Sequence, residues 1–338
     1  MKNTGVIVGM SGGVDSSAAL RMLHEQGFRA IGGTLRFYCY ARARGGARPC
    51  CSGASLRRAR QLCALLGVPH HTIDVEEEFT RHVVRNFVDE YRAGRTPNPC
   101  VVCNEKVKFP QLARVADNLG CGRIATGHYA TLVRGTGGRT FLASALDAKK
   151  DQSYFLYRVP VKLLERAIFP LGRLTKESVK AAASRSGFRS DGERESQDIC
   201  FIPDGAVRDF LREHIGAVPG EVVDESGRIL GAHEGAHLYT IGQRKGLGIA
   251  GGERLHVASI DVRSNRITLA PKERVFGSLA LCRGLKLRSG ALEPGAPTRR
   301  GGADRLPGPL VAKIRYRRPA AEVLRLERRN GLLAVEFR

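Results

Sequence analysis

The sequence predicts an α/β protein. A parallel-sheet domain spans residues 1–203, a small β-rich central domain spans 204–275, and a C-terminal β-barrel-like domain spans 276–338. Three observations predict this. Apolar runs alternate with amphipathic helical patterns through the first part of the chain. After about Pro219 the glycines become frequent and short alternating runs replace the helical ones. A chain of 338 residues has room for two or three domains with ample core.

The elements follow in order. Val6–Val8, Ala30–Thr34, His71–Val75 and Arg123–Thr126 read as strands. Behind the first strand comes a helix with Leu20 and Leu23 on one side and Gly27 as its stop. Ala59, Leu62, Cys63 and Leu66 recur at helical spacing ahead of Gly67, as do Phe109, Leu112, Ala116 and Leu119 ahead of Gly120. Such alternation implies a parallel sheet flanked by helices, with ligands at the carboxyl ends of the strands. Helical signals run from Pro160 to about Gly187. The stretch Ser190–Pro203 is polar and aperiodic, and reads as a loop. Further on, His256–Ile260 and Arg266–Leu269, ahead of Pro271, read as strands. Ala312, Ile314 and Tyr316 alternate with Lys313, Arg315 and Arg317, and Leu333, Val335 and Phe337 alternate likewise. These are strands with a basic face, because residues 283–338 carry 14 Lys and Arg against 5 Asp and Glu.

The formal net charge is +22. A phosphate-rich partner accounts for it, and so does a generally Arg-rich proteome. No apolar run approaches a membrane span and no signal-peptide core opens the chain, so a soluble cytoplasmic protein is expected. Nine cysteines, an odd number, argue against a structural disulfide framework and for metal or thiol chemistry at some of them. Cys63 and Cys121 fall in helical patterns and read as buried small hydrophobes. Cys39, Cys50 and Cys51 border the glycine- and arginine-rich run Ala41–Arg48 and read as structural or incidental.

Chemistry enters at Gly9-Met10-Ser11-Gly12-Gly13-Val14-Asp15-Ser16-Ser17, between the first strand and its helix. Such a turn aims backbone N–H groups and a helix N-terminus at an anion. Gly12 and Gly13 permit close approach, the serines offer hydroxyls, and Asp15 offers a carboxylate for Mg²⁺. No Gly-Lys-Ser/Thr follows, so it is not a Walker loop, and the glycines are wrongly spaced for a dinucleotide fingerprint. An ordinary βα turn is the bland alternative. The string resembles the signature of the ATP pyrophosphatase (PP-loop) superfamily, whose members cleave ATP between the α and β phosphates and adenylate an oxygen of the substrate.

Five further strings narrow the resemblance: Thr96-Pro97-Asn98-Pro99-Cys100-Val101-Val102-Cys103-Asn104, Ala125-Thr126-Gly127-His128-Tyr129-Ala130, Lys150-Asp151-Gln152-Ser153-Tyr154-Phe155-Leu156, Glu195-Ser196-Gln197-Asp198-Ile199-Cys200-Phe201-Ile202 and Tyr239-Thr240-Ile241-Gly242-Gln243-Arg244-Lys245-Gly246-Leu247-Gly248. With the first loop they resemble the tRNA-specific 2-thiouridylases of the MnmA type, over nearly the whole chain. That resemblance implies ATP-dependent adenylation of the wobble uridine O2 in tRNAs for Lys, Glu and Gln, followed by sulfur transfer to C2. It implies ATP contacts at Gly9, Met10, Ser11, Gly12, Gly13, Val14, Asp15 and Ser16, with Leu35 and Gly127 around the adenosine. It matches Cys103 to the nucleophile and Cys200 to the persulfide carrier, and implies a cysteine desulfurase or a sulfur-relay protein as partner.

Where many relatives carry Asp, this chain has Cys100. Two routes therefore stand open. One is a persulfide on Cys200 that Cys103 reduces, leaving a Cys103–Cys200 disulfide. The other is a [4Fe–4S] cluster on Cys100, Cys103 and Cys200 with one open iron. Structural zinc is a third use of these thiols. For tRNA, the resemblance implies contacts at Lys150, Asp151, Gln152 and His128, and the basic C-terminal strand offers Arg315 and Tyr316 for phosphate and base stacking. The competing readings are a helix cap for Asp151, a structural His128, and a charge-protected edge strand for Arg315 and Tyr316. Family members continue past a strand like Ala334–Phe337, so the final strands of the last domain are expected to be missing or replaced. Two other functions remain open: a PP-loop enzyme acting on a small molecule, and a non-catalytic RNA-binding protein with zinc on Cys50, Cys51, Cys100 and Cys103.

Overall fold

A computed structural model describes residues 4–40, 53–135, 138–185, 199–249, 254–284, 310–316, 318–330 and 332–337. Cys50, Cys51, the Ala41–Arg48 run, Glu195–Asp198 and Arg317 lie outside the described residues. The chain forms two units. One comprises Met1–Val218 with Glu234–Leu238, and the other Pro219–His233 with Tyr239–Arg338.

The first unit is built on a five-stranded parallel sheet of β1 (Gly5–Gly9), β2 (Arg29–Arg36), β3 (His70–Asp74), β4 (Arg123–Thr126) and β7 (Ala167–Ile168), in the order β3-β2-β1-β4-β7. An antiparallel hairpin of β5 (Thr131–Arg134) and β6 (Thr140–Ala143) lies between β4 and β7 in sequence. The four strands expected from the sequence are all present. The fifth, β7, interrupts the run from Pro160 that the sequence predicted as helical. Ala167 and Ile168 pair with Ile124 and Ala125, and helices α7 (Val161–Arg166) and α8 (Lys176–Arg185) flank them. A strand of two residues is too short to show a period of its own.

Val6 and Val8 point to one face of the sheet and pack with Leu20 and Leu23 of α1 (Val14–Glu25) and Leu62 and Cys63 of α2 (Gly53–Leu65). Helices α3 (Glu76–Phe79) and α4 (Arg85–Arg92) are joined by a π-helical turn, Thr80–Val84. After α5 (Pro99–Cys103) and a second π-turn, Asn104–Lys108, comes α6 (Phe109–Asn118), whose Leu112 covers the Gly9 side of β1. Helices on both faces make the sheet doubly wound. The far side of α1 is not free either, because Val14, Ala18 and Met22 pack on Tyr129, Leu171 and Val179. Strand β1 lies between β2, which follows it, and β4, which enters from the other side. The chain therefore reverses direction at the carboxyl end of β1, where open α/β sheets bind ligands.

The second unit contains two four-stranded sheets. The first joins β8 (Gly220–Val223), β9 (Ile229–His233), β10 (Leu255–Asp261) and β11 (Arg266–Pro271) in the order β10-β11-β8-β9, around Val222, Val257, Ile267 and Leu269. Helix α9 (Val207–Ile215) belongs to the first unit. The second sheet is antiparallel, with β12 (Leu279–Cys282), β15 (Leu332–Phe337), β14 (Ala321–Arg329) and β13 (Val311–Ala312) in that order. The alternation read from Ala312 to Tyr316 overestimates a strand, because β13 ends at Ala312 and the residues after it form bends and a turn. Among the described residues no helix is long and apolar enough to cross a membrane.

Leu20 is fully buried between β1 and α1. Leu20→Ala should lower stability by about 2–5 kcal/mol, seen as a lower urea midpoint for the first unit.

Candidate active site

The turn after β1 meets the end of β4. A Cβ on Gly127 would press against the Asp15 carbonyl carbon and Ser16 N at 2.8 Å, so only glycine allows this approach. Gly12 has φ +75°, and a Cβ there would collide with the Ser55 backbone of α2. Ser16 Oγ accepts from Ser11 N at 3.1 Å and donates to Gly13 O at 3.1 Å, closing the turn on itself. Gly9 and Leu35 lie at or near the carboxyl ends of β1 and β2. Met10 is buried in the core beneath the turn.

A triphosphate fits this cradle. Gly13 caps α1 without a side-chain bond, and helix N-termini of this kind leave their first N–H groups open to an anion. Ser17 Oγ is buried and has no hydrogen-bond partner among the described residues. Such an orphan is costly unless a ligand satisfies it.

Asp15 is held in place. Lys176 Nζ donates to its Oδ1 at 2.7 Å and its Oδ2 at 2.8 Å, and the Tyr129 hydroxyl donates to Oδ1 at 2.9 Å. Lys176 is 6% exposed and is the first residue of α8, where a cation opposes the helix dipole. The sequence reading missed both Lys176 and Tyr129. A lysine at a helix start was the available signal for the first, and no local signal pointed to the second.

Tyr129 also links the turn to the segment expected to face tRNA. Its N–H donates to Gln152 Oε1 at 3.1 Å, and its carbonyl accepts from Gln152 N at 2.7 Å. Asp151 is buried, accepting from Ala145 N, Ser153 N and Ser153 Oγ at 2.9–3.2 Å, so its carboxylate organises its own loop. Lys150 is half-buried, in a turn folded on the Asp147 carboxylate, which also receives Lys176 N at 3.0 Å. His128 stacks on Phe109 at 6.1 Å and accepts or donates at Nδ1 with Thr126 Oγ1 at 2.8 Å. Desolvation and then the Lys108 charge push its pKa well below the ordinary histidine value, so the ring is neutral.

Asn98 accepts from Val101 N at 3.3 Å and Pro99 occupies the first turn, a start suited to α5. Cys103 closes α5, 7% exposed, while Cys100 is exposed. Burial pushes the Cys103 thiol up to about 11, with the Lys108 charge and a backbone bond from Lys108 pulling it down. Past Cys103, Asn104 Nδ2 donates to Phe155 O at 3.0 Å and Glu105 pairs with Arg158 at 2.6 Å. The turn after Cys103 is thereby clamped to the 150–158 segment. Cys200 is exposed, and its neighbour Phe201 is buried among Phe79, Phe87 and Phe210 with ring centroids 5.4–5.8 Å away. The aromatic cluster anchors the backbone and leaves the thiol outside. Neither thiol is in a disulfide among the described residues.

Among the described residues no group of three His, Cys, Asp or Glu is placed to hold a metal ion. Cys100, Cys103 and Cys200 are accordingly not grouped as a metal site among the described residues. In the second unit, Arg315 is exposed and donates to Ile241 O at 3.4 Å, and Lys313 lies 5.5 Å from the centroid of the Tyr316 ring. Both Arg315 and Tyr316 follow β13 and do not lie in it.

The fold and the loop define an ATP-using domain at a parallel-sheet switch point. Residues 4–204 match the family described as tRNA methyl transferase HUP domain, and residues 208–271 match tRNA methyl transferase PRC-barrel domain. The tRNA-specific 2-thiouridylase MnmA 1 of Caldanaerobacter subterraneus subsp. tengcongensis is 45% identical over 280 residues, covering 81% of this chain and 77% of that one. The corresponding MnmA of Geobacter metallireducens is 44% identical over 277 residues, covering 80% and 75%. That of Dehalococcoides mccartyi is 37% identical over 335 residues, covering 98% and 88%. The chain belongs to the tRNA-specific 2-thiouridylase family.

With its pKa near 11, Cys103 is a protonated thiol at neutral pH, and its thiolate fraction should rise about tenfold per pH unit below that value. Iodoacetamide labelling of Cys103, followed by peptide mass spectrometry, should climb steadily from pH 7 to 10. A plateau by pH 8 would contradict the buried-thiol assignment.

Proposed function

We propose that this tRNA 2-thiouridylase works in two half-reactions joined through Tyr129. In the first, the wobble uridine O2 of a tRNA for Lys, Glu or Gln attacks the α-phosphorus of ATP. Pyrophosphate leaves and an O-adenylated base remains, because a uracil oxygen is otherwise a poor leaving group. Gly9–Ser16 hold the nucleotide, with Leu35 and Gly127 around the adenosine. Magnesium, when bound, neutralises phosphate charge at Asp15. Lys176 keeps that carboxylate oriented before the nucleotide enters, and offers a second cation at the loop.

In the second half-reaction the outer sulfur of a Cys200 persulfide attacks C2, and the bond from C2 to the AMP oxygen breaks. The Cys103 thiolate then attacks Cys200 Sγ. The persulfide bond breaks, sulfur stays on C2 as the thiocarbonyl, and a Cys103–Cys200 disulfide forms. A cellular thiol resets it, and a cysteine desulfurase, directly or through a relay protein, reloads Cys200. The reading follows the persulfide route, which an exposed Cys200 and a buried Cys103 support, and leaves Cys100 outside the chemistry. Lys150, Gln152 and His128 face the anticodon, Asp151 shapes their loop, and Arg315 and Tyr316 add contacts from the basic module. Residues 1–203 carry catalysis, 204–275 and 276–338 serve RNA binding, and the reaction takes place in the cytoplasm.

The observation that carries this reading is the bonded path from Asp15 through Tyr129 to Gln152, with the Asn104–Phe155 bond just beyond it. It supports the reading by linking the Gly9–Ser16 turn to the segment bonded to the turn after Cys103. Two variants test it. Asp15→Ala should abolish tRNA-dependent pyrophosphate release together with 2-thiouridine. Cys200→Ser should keep pyrophosphate release near wild type while losing 2-thiouridine at least 100-fold, a loss on the order expected when a nucleophile is removed. Loss of both activities in Cys200→Ser would sink the two-step division.

A further inference from the structure

Arg58, in the second turn of α2, grips the strand-to-helix turn at a different point from Lys176. Its Nε donates to Gly12 O at 3.1 Å, and its Nη2 donates to Ser55 Oγ at 3.1 Å. Ser55 is itself the residue whose backbone lies against Gly12. The peptide between Gly12 and Gly13 is planar and trans, so its C=O and its N–H point in opposite directions. With the carbonyl turned toward Arg58, the Gly13 N–H is turned away from α2. There, among the described residues, it donates to Ser11 Oγ at 3.4 Å in an exposed position. Glycine on both sides of this peptide leaves it free to flip. A flipped peptide would present a carbonyl oxygen to the nucleotide where an N–H is needed.

We propose that Arg58 is a positioning residue for ATP: by holding the Gly12 carbonyl it keeps the Gly13 N–H aimed at the phosphates. This rests on the reading of Gly9–Ser16 as the ATP site and adds a residue from a different helix to it. Nothing in the motif itself identifies Arg58, because it reaches the turn only through the fold.

Two substitutions separate orientation from charge. The amide nitrogen of glutamine stands as many bonds from Cα as the arginine Nε, so Arg58→Gln keeps the donor and loses the charge. Arg58→Met keeps the apolar stem and loses both. Affinities for ATP and AMP are measured by calorimetry on the full chain without tRNA, beside thermal melting. The KM for ATP in tRNA-dependent pyrophosphate release is measured in parallel. Arg58→Met should weaken ATP about tenfold, the scale of one lost hydrogen bond to a charged ligand's cradle, with AMP weakened less and kcat little changed. Arg58→Gln should stay within about threefold of wild type. Unchanged ATP affinity in Arg58→Met would overturn the proposal. So would equal loss in Arg58→Gln, including the case where Arg58→Met melts early and binds neither nucleotide. If wild type binds ATP but forms no 2-thiouridine, the thiolase reading fails while the role of Arg58 is still decided by the binding data.

Discussion

The site depends on one carboxylate being held before its ligand arrives. Asp15 sits in the first turn of α1, where a negative charge suits the helix dipole, and takes Lys176 on both oxygens and Tyr129 on one. A lysine that is 6% exposed at a helix start is stable only with such a partner. The pair therefore fixes α8 against α1, and the apolar contacts of Val14, Ala18 and Met22 with Tyr129, Leu171 and Val179 seal the same seam. Because Tyr129 also bonds to Gln152 through its backbone, the geometry of the glycine-rich turn and of the Lys150–Gln152 loop is set together.

Cys103 and Cys200 occupy opposite environments. Cys200 stands exposed while the buried Phe201 fixes its backbone. Cys103 is buried with a raised pKa, and in the proposed sulfur transfer such a thiol stays unreactive until a persulfide reaches it. The π-turn that follows it brings Lys108 back toward the sulfur, a local distortion of the kind often found at functional sites. Glu105 of the same π-turn, 5% exposed on its side chain, pairs with Arg158.

Much of the first unit was legible in the sequence. Strands β1 to β4 and helices α1, α2 and α6 carry strong apolar patterns with glycine stops, and they form where those patterns lie. The reading failed where an element is short or depends on a distant partner. Strand β7 is two residues long and sits inside a helical pattern. The alternation from Ala312 to Tyr316 has only Val311 and Ala312 paired with β14, so the rest of it has no ladder to join. Asp151 looked like a cap or a base-reading carboxylate, and its three internal bonds are visible only once Ala145 and Ser153 are placed beside it.

The sequence by itself determined the chemistry on offer: a glycine-rich turn after a strand, two cysteines in distinctive settings, and a basic chain. These are local patterns, and local patterns survive without a fold. Only the tertiary structure decided which charges face which. Lys176 reaches Asp15 across 161 positions, Tyr129 across 114, and Arg58 reaches Gly12 across 46. No periodicity or propensity encodes such pairs, because they arise from helices on both faces of a sheet converging on one strand end. Among the described residues Cys100, Cys103 and Cys200 are not grouped as a metal site, a relation that their spacing in the sequence left open.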